Sequence, residues 1–529
     1  MKIKRIIHII SGIVLLLSGV LLHQSCTSEF EEINTDPYNV YNDQLEADFQ
    51  IVGGRFSEVL RNIYTFTPAW VTQLQQNLIG DVFSGYMMPP TPFEGNSNNM
   101  TYDLVPGWNE WPWNVAYQSI MAPLRIADAE AEKRGFNNFL AWSKICRVAT
   151  MHRVTDIYGP IIYTRFGETD VTDNYDCQEN VYDAFFKDLD DAIDMLTPLA
   201  KELENPDLTP FTPFDISDFD GSYEKWIRFA NSLRLRLAIR ISLVDPDRAR
   251  QEGEAAVSHE FGVLSDPSSE NFQMDNVNHP LNIINNSWND IRMGAPMESI
   301  LVGYEDQRIS QYFLPSEIVE GQYKGIRQGI EIVSKDDYSP FSKLTIQNSI
   351  VLMTAAEVFF LKAEGALREW NMGGTAQDLY EQGIQASFDQ HGLGDASTYY
   401  NNNTSTPIDY VDTFNADNNI AAATDITIQW DAGADFETNL ERIITQKWIA
   451  MYPEGQEAWS EFRRTGYPGL FPVVINNSGG TISTTEFIKR IPFAQSDIAT
   501  NPAGVEAARG CPEIGGADIG GTALWWDVN

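Results

Sequence analysis

The sequence predicts a mainly α-helical protein with long loops and a few short strands. Apolar residues recur at the helical period in several long segments, and residues 181–196 are the first clear case. A short strand is expected around residues 161–163. No linker rich in proline, serine or glycine divides the 529-residue chain, which favours one large domain. Long irregular stretches separate the helical segments, at residues 80–112, 265–300, 395–435 and 470–525.

Two amphipathic helices are predicted before residue 250. The first covers residues 181–196, and the second covers residues 223–244 and ends near Pro246. Their apolar stripes are Tyr182, Phe185, Phe186, Leu189, Ile193 and Leu196, and Trp226, Phe229, Leu233, Leu237, Ile241 and Val244. The second helix also carries Arg228, Arg234, Arg236 and Arg240, which we expect to pair with carboxylates of this acidic chain.

Residues 350–390 read as a pair of packed helices joined by a turn at residues 371–374. In the second helix, Ala376, Tyr380 and Gly383 follow a small–aromatic–small pattern. Tetratricopeptide repeats use this pattern, because small residues allow close approach of two helices and the aromatic ring fills the groove. The pair therefore favours a scaffold of tetratricopeptide-like helix pairs, with an unrelated helical hairpin as the alternative.

The N-terminus has the features of a bacterial lipoprotein signal. Lys2, Lys4 and Arg5 precede an apolar run at residues 6–22, which is too short and too interrupted for a transmembrane helix. The run ends at Cys26, which we expect to be acylated after cleavage. An ordinary secretory signal with a chance cysteine is the alternative. The predicted organisation is a signal peptide at residues 1–25, a lipidated, acidic tether at 26–44, and one domain at 45–529.

Charge and cysteine content narrow the possible functions. The formal net charge is −38, so the surface repels nucleic acid and anionic lipid head groups. Contact with a membrane is therefore expected through the lipid anchor alone. Cys146 lies in an apolar helical pattern and is expected to be a buried free thiol. A disulfide between Cys177 and Cys511 is possible but does not follow from the sequence, and no cysteine pair has zinc-ligand spacing.

A cluster of aromatic residues forms the first candidate ligand platform. Tyr86 precedes a loop rich in Asn, Pro and Gly, and Trp108, Trp111 and Trp113 lie within six residues at its end. An indole face can stack on the C–H face of a sugar ring or on an apolar side chain, and nearby Asn and Asp groups can fix the ligand's orientation. The alternative for each tryptophan is that it packs the loop onto the helices.

Trp288 and Asn289 form the second candidate platform, in a short run of asparagines. The chemical argument and the alternative are the same as for the first platform. Both platforms are expected to serve a non-covalent ligand.

Catalytic and metal sites have weak support in the sequence. No nucleophile elbow, metal-ligand helix or phosphate loop is present, so we predict no enzymatic activity and no cofactor. Residues 215–221 contain several oxygen donors and leave open a structural calcium ion, although their spacing does not match the helix–loop–helix calcium motif. The adjacent Arg463 and Arg464 are interpreted as part of a structural ion-pair network, with contact to a partner barrel as the alternative.

Several short motifs follow one another in a characteristic order along most of the chain. The first is FEEINTDP at residues 30–37, and another is EAWSEFRRTGYP at residues 457–468. Further segments of this kind are residues 153–161, 226–240, 323–327, 353–364 and 446–450. In this order the motifs resemble the SusD/RagB-like nutrient-binding outer-membrane lipoproteins of Bacteroidetes. Residues 306–309 read DQRI, whereas relatives often have Asp-Pro-Arg at this point.

The resemblance implies four tetratricopeptide-like helix pairs with loop excursions on one face. It also implies a role as the lid of a SusC-like, TonB-dependent outer-membrane transporter, with capture of an oligosaccharide for import. A peptide ligand in the same role is the alternative, and a glycan-degrading surface enzyme is a further one. Acidic residues after the lipid cysteine, Glu29, Glu31 and Glu32, resemble the signal that sends such lipoproteins to the extracellular face of the outer membrane.

Overall fold

The computed structural model describes residues 48–168, 174–203, 205 and 208–528. The chain divides into residues 1–51 and residues 52–529, and the account below concerns the second part. The predicted signal peptide, the lipid site Cys26 and the tether at residues 26–44 lie outside the described residues.

Long α-helices form most of the scaffold, as the sequence predicts. They are α1 (Ala122–Arg134), α2 (Asn137–Tyr158), α3 (Gln178–Glu202), α4 (Tyr223–Arg240), α5 (Pro246–Ser258), α6 (Ala355–Leu367), α7 (Ala376–Gln390), α8 (Phe436–Ala450) and α9 (Gly455–Thr465). Helices that follow each other in the chain pack together from α1 to α5, as do α6 and α7, and α8 packs against α6. The predicted mainly helical fold class is confirmed.

Shorter helical elements lie between the long helices. The α-helical ones are Gln50–Gly53, Phe56–Ile63, Ala69–Thr72, Pro106–Asn109, Trp111–Val115, Pro280–Asn282, Ala295–Gly303, Ile309–Tyr312, Lys335–Tyr338, Ser397–Tyr400, Gln495–Thr500 and Pro502–Arg509. Three π-helical segments cover Gln73–Asp81, Ala116–Met121 and Ile283–Ser287. Short 3₁₀ turns cover Phe93–Asn96, Asn99–Thr101 and Ala416–Asn418. Many of these elements lie in the stretches that read as irregular from the sequence.

In the described part of the chain, four short strands form two antiparallel pairs. β1 (Met87–Met88) pairs with β3 (Arg292–Met293), and Met87 lies opposite Met293. β2 (Phe272–Met274) pairs with β4 (Ile350–Met353). The strand expected around residues 161–163 is reduced to a single bridge between Ile161 and Asp176. The first pair joins two loops that later contribute aromatic residues to the candidate site.

Helices α6 and α7 pack as the small–aromatic–small pattern predicts. Thr354 caps α6 by accepting a hydrogen bond from the Glu357 amide at 3.1 Å. A Cβ at Gly383 would lie 2.9 Å from the ring of Phe360, so only glycine allows this approach. Tyr380 is fully buried, and its hydroxyl donates to the Ile428 carbonyl at 2.6 Å. Gly383 and Tyr380 therefore have the roles that the sequence assigned to them, whereas Ala376 is only half-buried.

The apolar stripes predicted for α3 and α4 are buried. All six stripe residues of α3 are in the core, as are Trp226, Phe229, Leu233, Leu237 and Ile241 of the second stripe. Arg228 and Arg234 of α4 form ion pairs with Glu270 and Glu252, as expected. The other two arginines of α4 turn into the protein interior.

A network of buried charges, which we call the ionic core, connects α4, α6 and α9. Arg236 of α4 binds Glu357 of α6 with both carboxylate oxygens engaged, at 2.8 and 2.7 Å. Arg240 donates to Glu457 of α9 at 2.6 Å. Arg464 binds Glu364 and Glu461, so the network closes between α6 and α9. Buried charges need such complete pairing, because an unpaired charge in the interior is strongly destabilising.

Arg463 also has a structural role. Its Nη1 donates at 2.7 Å to the carbonyls of Asp156 and Lys489, and its guanidinium lies 3.6 Å from the centroid of the Trp459 ring. Burial lowers the pKa of Arg463 to about 9. The structural interpretation of the arginine pair is confirmed, since both side chains are buried within the fold.

Cys177 and Cys511 form a disulfide across 334 residues. The bond connects the residue before α3 to the C-terminal segment. Cys146 is a buried free thiol, as expected from its apolar helical pattern, and burial raises the pKa of that thiol. The sequence left the disulfide open because no local pattern relates two cysteines so far apart.

Candidate ligand-binding site

Several neighbouring loops carry partly exposed aromatic side chains, which we call the aromatic face. Its members are Trp70, Phe93, Trp108, Trp111 and Trp288. The helix that carries Trp70 contacts the helix before Trp288, and the Trp70 indole contacts Trp111. The segments that carry the sequence-predicted residues Trp111 and Trp288 therefore lie beside the Trp70 helix, and Trp108 lies three residues before Trp111.

Trp70 is the most exposed member of the aromatic face, and its ring packs against Trp111. Their ring centroids are 4.6 Å apart and their planes meet at 89°. Trp70 is 44% exposed, so much of its indole is accessible to a ligand. Edge-to-face aromatic pairs are favourable, and this one holds the Trp70 ring without burying it. Trp70 was not predicted from the sequence. The helical segment around Trp70 reads as scaffold, and the exposure of its ring depends on loops that come later in the chain.

Trp108 packs edge-on against Phe93, with ring centroids 5.6 Å apart. Phe93 begins a tight turn in which Glu94 and Asn96 have positive φ angles of 48° and 69°. The Asn96 side chain donates to the Ile332 carbonyl at 3.0 Å and accepts from the Ile332 amide at 3.1 Å. These two hydrogen bonds attach the turn to a loop more than two hundred residues away. Trp108 therefore packs against Phe93, whose turn is held in place by the hydrogen bonds of Asn96.

Buried asparagines hold this loop from inside. The Asn99 side chain donates to the Leu78 carbonyl at 3.0 Å and to Asn109 Oδ1 at 2.8 Å, and it accepts from the Val105 amide at 3.0 Å. Asn98 caps the following 3₁₀ turn. All three asparagines are buried, so they position the loop backbone and do not contact a ligand. The sequence-based idea that asparagines of this loop orient a ligand is wrong for these three.

Trp288 and Asn289 lie on a turn that the first loop contacts. Thr91 donates to Asp290 at 2.5 Å, and Lys335 binds Asp290 and the Trp288 carbonyl, both at 2.7 Å. Asn289 has a φ of 53°, and its Oδ1 accepts from Arg292 at 3.0 Å. The Asn289 amide is thus used in part to shape the turn, whereas the half-buried Trp288 ring remains partly accessible.

Tyr86 and Trp113 are not on the aromatic face, and the sequence-based prediction is wrong for both. Tyr86 is fully buried, and its hydroxyl donates to the carbonyl of Trp448. Trp113 is 5% exposed and lies between Tyr117, Tyr158 and Tyr175, with centroids 4.4 to 5.7 Å away. For Trp113 the reason is helical geometry, because Trp111 and Trp113 are two residues apart on one helix and therefore point in different directions.

In the loop at residues 215–221, the Asp215 carboxylate, which could bind calcium, is already engaged in hydrogen bonds within the protein. The Asp215 carboxylate accepts hydrogen bonds from the Ser217 amide and hydroxyl, the Gly221 amide and Trp226 Nε1, at 2.7 to 2.9 Å. These four donors saturate the carboxylate and connect the loop to α4. Within the described ranges, the one cluster with metal-ligand spacing is Cys177, Cys511 and Glu513, and its two sulfurs are bonded to each other.

In the part of the chain that the structure describes, every helix is too short or too polar to cross a lipid bilayer. The predicted lipid site, Cys26, lies outside the described residues.

The fold agrees with comparisons to known proteins. Residues 32–527 match the model of the SusD-like family, described as Susd and RagB outer membrane lipoprotein. Because this match spans nearly the whole chain, the protein belongs to the SusD-like family, whose members are outer-membrane lipoproteins. No curated protein matches the sequence.

Solved structures of SusD homologues superimpose on the chain over most of its length. A chitin-binding SusD homologue from Flavobacterium johnsoniae is 46% identical, with a TM-score of 0.87 over 90% of this chain and 99% of that one. A homologue from Bacteroides vulgatus is 38% identical, with a TM-score of 0.86 over 92% and 99%. A SusD-like protein from Bacteroides thetaiotaomicron is 33% identical, with a TM-score of 0.84 over 90% and 99%.

Proposed function

We propose that this protein captures an oligosaccharide at its aromatic face and delivers it to a SusC-like, TonB-dependent transporter, for which it acts as the lid. The observation that carries this proposal is the set of partly exposed tryptophans that separate loops hold together, above all the Trp70–Trp111 pair. Indole faces stack on the apolar C–H faces of sugar rings. The protein binds its ligand and performs no chemical step.

The ligand that we propose first is an oligomer of β-linked N-acetylglucosamine. The support is the 46% identical SusD homologue from Flavobacterium johnsoniae that binds chitin. A neutral glycan also suits the charge of this protein, since a net charge of −38 disfavours polyanions. At the face itself, the positive charge of Lys335 is paired with Asp290, which leaves stacking as the main source of affinity.

The lid role requires an anchor and a partner. We propose that Cys26 is acylated, that the tether at residues 26–44 holds the body at the extracellular side of the outer membrane, and that the transporter barrel is the partner. The support is the family of outer-membrane lipoproteins to which the chain belongs. A flexible tether would allow the body to open and close over the barrel while it stays attached.

Binding can be tested by calorimetric titration of the purified protein with chitin oligosaccharides. We expect Trp70→Ala, Trp108→Ala and Trp111→Ala each to weaken binding about tenfold, which corresponds to ~1.4 kcal/mol. Phe436→Ala is the matched control, because Phe436 is also exposed (37%) but packs beside Arg368, away from the aromatic face. This control should bind like the unchanged protein.

Three results would contradict the proposal. If a variant with Trp70, Trp108 and Trp111 all replaced by Ala binds chitin oligosaccharides as tightly as the unchanged protein, the aromatic face is not the site. Binding of peptides in place of glycans would support the alternative ligand class. Hydrolysis of the oligosaccharide by the pure protein, detected by chromatography of the products, would show an enzyme.

Anchoring and partnership need separate experiments. We expect Cys26→Ala to move the protein from the membrane fraction to the soluble fraction, and unchanged anchoring would rule out lipidation at this cysteine. Affinity purification of the native protein should recover a TonB-dependent transporter identified by mass spectrometry. A protein that is reproducibly purified alone under mild detergent would argue against the lid role.

A further inference from the structure

A cavity of about 40 Å³ lies apart from the aromatic face. It is bounded by the end of α7, the segment before β4 and the region before α9, and it shares no residue with the aromatic face. Gln347 lines one side and is exposed, so the cavity reaches solvent there. One water needs about 10–15 Å³ by this measure of volume, so the cavity holds about three waters or one small organic group.

The lining of this cavity contains five buried polar atoms without a hydrogen-bond partner among the described residues. They are Thr345 Oγ1, Gln390 Oε1, the Tyr452 hydroxyl and both ring nitrogens of His391. Tyr452 is only 6% exposed, so its hydroxyl has little other access to a partner. Native proteins leave few buried polar groups unpaired, because each costs about 1–3 kcal/mol. Five such atoms around one cavity indicate a polar occupant.

The lining is neutral at physiological pH. Burial lowers the pKa of His279 to about 3 and that of His391 to about 4, so both imidazoles are uncharged at pH 7. The remaining described lining residues carry no ionised side chain. A neutral imidazole offers one donor and one acceptor, Gln390 Oε1 is an acceptor, and the two hydroxyls can be either. Among the described residues, no charged side chain lines the cavity to balance an ion, whereas a neutral group with both a donor and an acceptor can form hydrogen bonds with these residues.

Aromatic and aliphatic walls complete the cavity. The Tyr312 ring lies 5.1 Å from His391 and 4.6 Å from Tyr452, measured between ring centroids. Ile346 and Val351 add aliphatic surface. The occupant therefore has an apolar part beside its polar atoms, as the methyl, carbonyl and N–H of an acetamido group do.

We propose that this cavity is a second binding site, which takes a small neutral amide such as the acetamido group of an amino sugar. The polar atoms of the amide would pair with His391, Gln390 and the Tyr452 hydroxyl, and its methyl would contact the Tyr312 ring. The site is independent of the aromatic face, so it does not rest on the proposed function.

The test uses the histidines of the mature protein as reporters in NMR spectra of ring-labelled protein, with His391→Gln to assign the signal of His391. The background is the variant with Trp70, Trp108 and Trp111 replaced by Ala, so binding at the aromatic face does not contribute. The probes are acetamide, N-acetylglucosamine, ethylene glycol and acetate. We expect acetamide and N-acetylglucosamine to shift the His391 signal saturably, ethylene glycol to do so more weakly, and acetate to have no effect.

Tyr452→Phe separates a ligand site from a structural role. We expect this variant to bind acetamide about tenfold more weakly, yet to be as stable as the parent or more stable without ligand, because it removes an unpaired hydroxyl. Tyr323→Phe, at a partly exposed tyrosine outside the cavity, should change neither property. The proposal would be overturned by a His391 signal that no neutral probe moves, by an equal response to acetate, or by crystals soaked in acetamide that show only waters in the cavity.

Discussion

The ionic core and the aromatic face use opposite chemistry in the same protein. In the ionic core, charged side chains such as Arg464 are fully buried and bind two carboxylates each. On the aromatic face, a large apolar ring such as Trp70 is exposed, whereas asparagines of the neighbouring loop, such as Asn99, are buried. The usual distribution of polar and apolar groups is thus reversed in both regions.

The two reversals have different consequences for stability and function. A buried ion pair must stay complete, so the ionic core restricts how α4, α6 and α9 can be arranged. A partly exposed indole such as Trp70 contributes less to the folded state than a buried one, and under the proposed function it contacts the ligand. Changes in the ionic core should therefore lower stability, and changes on the aromatic face should lower affinity.

The largest effect is expected from Arg464→Met. Burial alone would raise the pKa of Glu461, but Arg464, Lys447 and Arg240 hold it well below its usual range. Removing Arg464 leaves the buried carboxylates of Glu364 and Glu461 with less positive charge beside them. Breaking a buried ion pair in this way costs about 3–5 kcal/mol. The measurement is the free energy of unfolding in urea.

Arg250→Met is the matched control for that change. Arg250 forms an exposed pair with Glu254 at 2.9 Å on one face of α5, and such surface pairs contribute about 0–1 kcal/mol. Equal losses of stability in the two variants would mean that the ionic core has no special role.

A second prediction concerns Asp81, a buried carboxylate held by amides in place of cations. It accepts hydrogen bonds from Gln76 at 2.9 Å and Asn77 at 3.2 Å, and burial raises its pKa to about 7. Because the folded state binds the proton more tightly than the unfolded state, stability falls as pH rises from about 4 to about 7 and is then level. Its contribution to this fall is up to about 4 kcal/mol, at ~1.4 kcal/mol per pKa unit.

Asp81→Asn should remove this part of the pH dependence and increase stability at pH 8 relative to the unchanged protein. The measurement is urea unfolding at a series of pH values, with the exposed Asp417→Asn as a control that keeps the original slope. A slope that persists in Asp81→Asn would assign the pH dependence to other carboxyl groups.

The sequence predicts the scaffold well because helical periodicity is a local signal. The stripes of α3 and α4 and the small–aromatic–small pattern of α7 follow from residues a few positions apart. For the ionic core, the sequence predicted only that arginines would pair with carboxylates. Which carboxylate meets which arginine depends on helix packing, as when Arg464 reaches Glu364 across 100 residues.

The third prediction concerns the disulfide, the other long-range contact that no local pattern defines. Replacing both Cys177 and Cys511 by Ser should lower the free energy of unfolding by about 2–4 kcal/mol, because the bond restricts the unfolded chain. Oligosaccharide affinity should be unchanged, since the bond lies outside the aromatic face.

Reductant provides the control for the disulfide prediction. It should destabilise the unchanged protein and leave the double serine variant unaffected, because the remaining described cysteine, Cys146, is a free thiol. A double variant that is as stable as the parent would show that noncovalent contacts alone hold the C-terminal segment.

The candidate site was predicted in part, and the errors have a common cause. Trp108, Trp111 and Trp288 reach the surface, whereas Trp113 and Tyr86 are buried. A run of aromatic residues shows that rings are concentrated in a loop, but it does not show which rings face solvent. That depends on the surrounding segments, such as the loop at Ile332 that binds Asn96.

The smallest effect on stability is expected at the aromatic face, where Trp70 can be compared with Trp142 of α2. Trp142 is fully buried and stacks on Phe56 and Phe211 at 4.2 Å, so Trp142→Ala should cost about 3–5 kcal/mol of unfolding free energy. Trp70→Ala should cost less, about 0.5–1.5 kcal/mol, because it removes the edge-to-face pair with Trp111. Urea unfolding measures both variants, and calorimetry measures oligosaccharide binding by Trp70→Ala. A large loss of stability in Trp70→Ala would mean that the ring supports the loops, and the affinity loss would then no longer identify a ligand contact.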